Sequence, residues 1–103
     1  MKRTFAGIVQ RSSGWDHSTP AQEQPGFEQH VSYMKGLEAE GFIALAGLMS
    51  DSNDVLFIFR AQSADDVRSR LSQDPWQQDG HARLVRLEEI SINIGEPRPT
   101  AGS

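Results

Sequence analysis

Three histidines, His17, His30 and His81, carry the side chains of this chain that change charge near neutral pH. No His-x-x-x-His or His-x-Glu pair includes any of them, so a metal site would have to be assembled from distant segments. Cysteine is absent, which removes thiol nucleophiles, zinc–thiolate sites and disulfides together. No metal and no other cofactor is expected. His17 falls in a polar loop and His81 just after Gly80, whereas His30 lies three residues after Phe27 and four before Met34. On a helix that spacing sets His30 inside the apolar stripe, aimed at the sheet. Two readings fit it: a core or rim histidine with one satisfied hydrogen bond, or a general acid/base at the lip of a pocket.

Asp74 bears on that choice. It follows Leu71 by three residues and Val67 by seven, so on a helix it too points inward. At the C-terminal end of such a helix the macrodipole disfavours a carboxylate by about a few tenths of a kcal/mol. A carboxylate is a poor choice there for stability alone. Asp before Pro75 is also a common turn former, which is the plainer account of it.

The elements that must position these two side chains follow from the periodicity. Thr4 to Gln10 is a short β-leaning stretch, and Arg11 to Pro20 is a polar loop. Phe27, Val31, Met34 and Leu37 recur at helical spacing from about Gly26 to Glu40, and Gly41 stops the pattern where a left-handed cap is expected. Phe42 to Gly47 and Val55 to Phe59 read as two strands around a turn at Ser50 to Asp54. Ser63 is a good N-cap for a second helix, Asp65 and Asp66 suit its first turn, Val67 and Leu71 form its buried stripe, and Pro75 prevents continuation past Asp74. From Ala82 to Ile94 the pattern is strand-like, with a slip of phase at Glu88-Glu89 that predicts a bulge.

The order is β-α-β-β-α-β, the split βαβ arrangement of the ferredoxin-like α+β sandwich with an antiparallel four-stranded sheet. Both helices of that fold pack on one face of the sheet, so the start of the first can approach the end of the second, bringing His30 toward Asp74. The two middle strands are apolar on both faces: Phe42, Ala44 and Ala46 alternate with Ile43 and Leu45, and Val55, Phe57 and Phe59 with Leu56 and Ile58. Two helices cover one face only. Each Leu- or Phe-sized side chain left in water on the other costs roughly 1.5–3 kcal/mol relative to burial. A homodimer, two sheets face to face as a closed or nearly closed barrel, is the expected cover.

Composition bounds the rest. The 103 residues make one domain, read as residues 1–94, and Gly95 to Ser103, without a large apolar side chain, reads as a disordered tail. A formal charge of −4 offers no basic footprint for nucleic acid or an anionic membrane. The longest apolar run, Gly41 to Met49, is far short of a membrane span, and Phe5 to Val9 is too short for a signal-peptide core. The expected setting is the cytoplasm, and the expected partners are a second copy and a small molecule.

The segment His30 to Leu37 (HVSYMKGL), Gly41 eleven residues after the histidine, Ala46-Gly47, and Asp74-Pro75-Trp76 with Gly80 six residues after the aspartate resemble the YCII-related (YciI-like) family. The resemblance runs from about Thr4 to Ile94. It implies a dimeric α/β barrel with a His-Asp pair at its pocket, here His30 and Asp74. Gly47, Ser50, Trp76 and His81 are the expected pocket neighbours, with packing the alternative for Trp76 and a solvated loop position the alternative for His81. The chain departs from the pattern at Leu48, where many members have Pro, and in the loop Arg11 to Gln24 with Trp15, Asp16 and His17. Characterised relatives include a dehydrochlorinase of a chlorinated aromatic diol. The function expected is cofactor-independent lyase- or isomerase-type acid–base chemistry on a small molecule. The alternatives are a non-catalytic dimeric ligand-binding or interaction module, or a cofactorless oxygenase of the dimeric-barrel type.

Overall fold

The computed structural model describes residues 2–95. Strand β1 is Arg3–Arg11, helix α1 Phe27–Ala39, β2 Ile43–Leu48, β3 Val55–Ala61, α2 Ala64–Leu71, α3 Pro75–Gln78 and β4 Ala82–Glu89, with a 3-10 turn at Ala21–Glu23. The strands form one open antiparallel sheet in the order β2-β3-β1-β4. This α+β topology is consistent with the ferredoxin-like arrangement. No helix among the described residues is long and apolar enough to cross a membrane. All but the first residue of the expected tail lies outside the described residues.

Local sequence explains the helix ends. Gly41 takes φ +80°, and beyond it the Phe42 amide donates to the Leu37 carbonyl and the Gly41 amide to that of Glu38, both at 2.9 Å. That paired closure drives Phe42 straight into the core. Ser63 Oγ accepts from the Asp66 amide at 3.0 Å, capping α2 as its position predicts. Phe5, Leu37, Phe42, Phe59, Val67 and Leu71 are almost wholly buried between these helices and the sheet. Gly7 of β1 is required by this packing, because a Cβ there would lie 2.9 Å from the ring of Phe59.

Four details differ from the sequence reading. First, β4 ends at Glu89 rather than near Ile94. The Ile90 amide donates to the Thr4 carbonyl, and beyond that β1 has almost no chain left to pair with. Second, the irregularity lies at Val85, not at Glu88-Glu89, since Ile8 faces Arg86 while Val9 faces Leu84. The extra residue lets Leu84 and Leu87, three apart, both pack on the core. Third, a bulge at Ala44 shifts β2, so that Ile43 falls opposite Phe59 but Leu45 opposite Ile58. Ile43 and Leu45 therefore do not share a face. Fourth, α2 stops at Leu71, and Asp74 is the N-cap of α3 instead of the end of α2. The carboxylate there meets free backbone N–H groups, so the dipole argument against it lapses.

Candidate active site

Asp74 is 1% exposed, and each of its oxygens has work. Oδ1 accepts from the Trp76 amide at 3.2 Å, and His30 Nδ1 lies 2.8 Å from Oδ1 and 3.0 Å from Oδ2. The turn-forming and partner readings of Asp74 are thus both true of one carboxylate. An ionised carboxylate only accepts, so with Asp74 ionised Nδ1 carries the proton of this contact. His30 Nε2 has no hydrogen-bond partner among the described residues, and no buried side-chain nitrogen or oxygen there lacks one. Nε2 is therefore open to solvent, on a side chain that is otherwise held.

Trp76 does much of the holding. Its ring stacks on the imidazole at 4.0 Å between centroids and 13° between planes. Its own Nε1–H donates to the Pro25 carbonyl at 2.8 Å, so the indole cannot turn away. Trp15 meets Trp76 edge-on at 5.2 Å. The loop that carries Trp15 is pinned from inside by Gln24, which is 3% exposed. Its amide bonds Asp16 and Thr19 through four contacts of 2.7–3.1 Å. From outside, the Ser12 and Gly14 amides donate to the carbonyls of His81 and Gly80. Hydrogen bonds from Ser18 hold the Asp16 carboxyl below its ordinary value.

These walls enclose a cavity of about 490 Å³ between α1 and the helix-side face of the sheet, within the range of roughly 300–1,000 Å³ usual for small-molecule sites. His30, Asp74 and Trp76 line it, with Val31 and Met34 from α1 and Val9, Phe57 and the edge strand β2 from the sheet. Most of the lining is aliphatic or aromatic, so a proton-transfer group sits at the rim of an apolar chamber. Such a site suits a small molecule with an apolar body. Among the described residues no three of His, Asp and Glu converge to hold a metal ion.

The other expected pocket residues separate. Trp76 is in the wall, as described. His81 is buried behind it, its Nδ1 2.7 Å from Asp79 Oδ1 and its ring 5.7 Å from that of Trp76, and it does not line the cavity. Gly47 and Ser50 do not line it either: Gly47 is exposed on β2 and Ser50 lies in the exposed turn after it. His17 is exposed on the loop. Arg11 and Trp15 belong to the lining and had no assigned part. The signal for Trp15 was a large aromatic side chain stranded in a polar run.

The chain matches no family model, no curated protein and no solved structure. Its function rests on the geometry of this site.

Proposed function

We propose that the protein is a cofactor-independent enzyme of YCII-related type, performing lyase- or isomerase-type acid–base chemistry on a small molecule in this cavity. One observation carries the reading: His30 is fixed through Nδ1 by a buried carboxylate, while its Nε2 has no partner among the described residues and its side chain lines an apolar chamber. Asp74 selects the tautomer, Trp76 fixes the ring plane, and the unprotonated Nε2 takes a proton from an activated C–H of the substrate. Returned at a neighbouring atom, that proton completes an isomerisation; if a β-substituent such as halide leaves with the electron pair, the result is an elimination. A positioned imidazole supplies about 10²–10⁴-fold of rate in such steps. Asp74 is a positioning residue, since it acts through His30.

The reading includes a homodimer. On the face away from the helices, Ile8, Leu56 and Ile58 are only half-buried, and Leu45, opposite Ile58 in register, is 43% exposed. Charge lies at the margins of this strip, at Arg86 and Glu88 of β4 opposite Ile8 and Ala6, and at Arg60 near the end of β3 opposite Thr4. A second copy seated on this apolar strip completes the barrel. Light scattering at micromolar concentration checks it, and a mass of one chain would contradict it.

The chemistry is tested by incubating the protein in deuterium oxide with a panel of enolisable ketones and chlorinated aromatic diols. Deuterium incorporation or halide release is read by mass spectrometry and ion chromatography. Wild type turns over at least one class, H30Q does not, and D74N loses about 10²–10⁴-fold. A panel compound that binds but neither exchanges nor eliminates identifies a binding module instead.

A further inference from the structure

Arg11 is the last residue of β1, two along from Val9 and so on the same helix-side face of the sheet. It is half-buried and lines the cavity. Its guanidinium carbon sits 4.3 Å from the ring centroid of Trp15. Among the described residues its side chain makes no hydrogen bond and no ion pair. Stacking occupies the flat face of a guanidinium and leaves the N–H groups along its edge free, in the fork that fits a planar oxyanion.

The other charges in the lining do not answer it. The Asp74 carboxylate is taken by His30 and the Trp76 amide. Lys35 and Glu38 are exposed at the mouth, three residues apart on α1, where opposite charges offset one another. What remains is one guanidinium, preset on an aromatic ring, facing an apolar chamber with no anion of the described residues beside it. Partial burial of an unmatched cation is unfavourable, and a bound carboxylate relieves it through charge-assisted, bidentate hydrogen bonds.

We propose that Arg11 is the anion anchor of this cavity and that the ligand is a small carboxylate with a flat apolar body. The proposal rests on the reading of the cavity as the substrate site and adds the substrate class. Guanidinium to Trp15, Trp15 to Trp76 and Trp76 to His30 are steps of 4.3, 5.2 and 4.0 Å. The aromatic wall thus runs from Arg11 to His30, and a carboxylate held at Arg11 lays its apolar body along it toward the imidazole. Gln24 and the backbone bonds to Gly80 and His81 fix the loop behind Trp15, so the anchor is positioned before the ligand arrives.

Both tryptophans of the chain stand in this wall, so intrinsic fluorescence reports occupancy directly. The probes are phenylacetate and its neutral isostere phenylacetamide, titrated at low and high salt. Wild type binds phenylacetate about tenfold or more tighter than the amide, as a charge-assisted pair requires, and salt narrows the gap. R11Q brings the two within about twofold, R11K keeps part of the preference, and H30Q keeps all of it. Equal binding of the two probes by wild type, an unchanged preference in R11Q, or no binding of either at millimolar concentration overturns the proposal. Loss of turnover in H30Q with the preference intact separates the anchor from the acid–base reading, so either can fail without the other.

Discussion

Leu37 and His30 stand seven residues apart on the same face of α1, yet their surroundings differ as a solid differs from a vessel. Leu37 is 1% exposed and packed with Phe5, Phe42, Phe59, Val67 and Leu71, whereas His30 looks into about 490 Å³ of open cavity. One helix on one sheet is closed where Leu37 meets the core and held apart along the stripe of His30, Val31, Met34 and Glu38. The closed end is sealed by the turn at Gly41, which folds Phe42 under the helix. The open end is propped by Trp76 and Trp15, aromatic side chains from segments outside the long helices. The comparison teaches that stability and chemistry have been given to different halves of one layer.

The largest test of that division is truncation on each side of it. F59A, at a side chain with 0% exposure, costs about 3–5 kcal/mol in urea unfolding. M34A, whose side chain already faces the cavity, costs about 1 kcal/mol. Equal losses would mean that the cavity is packed in solution and the contrast false.

Asp74 is where the halves meet, and its removal is the next effect in size. D74A leaves the His30 Nδ1–H and the Trp76 amide without their acceptor and costs about 1–3 kcal/mol. Urea unfolding reads the loss, and a stability equal to wild type would show that neither bond forms. The smaller G41A change strains a residue at φ +80° with nothing within 4 Å of the added methyl, so its cost of about 1 kcal/mol is conformational alone. It weakens the closed half and leaves probe binding at the open half unaltered, as fluorescence titration will show.

The smallest effect concerns the loop behind Trp15. Because Ser18 holds the Asp16 carboxyl below its ordinary value, the unfolded chain takes up the proton first as the pH falls. Asp16 therefore steadies the loop above the ordinary carboxylate range, and the contribution disappears as the pH drops through the folded value. Amide protection from Trp15 to Thr19, taken relative to intrinsic exchange, falls over that window in wild type, whereas S18A, which keeps only the backbone bond to Asp16, starts lower at neutral pH. Identical exchange in the two proteins would break the link.

Much of the closed half was legible in the sequence because local chemistry wrote it. The helical spacing that ends on Leu37, the glycine at position 41 and the cap at Ser63 each act within a turn or two of chain. The contact of His30 with Asp74 was legible too, but only half its reason was. His30 lies on the stripe of α1, whereas Asp74 reaches it as the extended N-cap of α3 and not as the last inward position of α2. The props of the open half were not. A four-residue helix such as α3 is too short to show a period, and Pro75 told only that α2 could not continue. Trp15 meets Trp76 across 60 intervening positions of sequence, a return that no local pattern encodes. The bulges at Ala44 and Val85 escaped for a related reason: alternation in an apolar run is ambiguous until the partner strand fixes the register.

The central claim is that Asp74 holds His30 with its proton on Nδ1 and its lone pair on the cavity side. Long-range proton–nitrogen NMR of the imidazoles, assigned with H30Q, reads this directly. The account predicts that neutral His30 is the Nδ1–H tautomer in wild type and that D74N, which offers an amide donor to Nδ1, shifts it toward Nε2–H. A wild-type His30 already protonated on Nε2, or a tautomer indifferent to D74N, would contradict it.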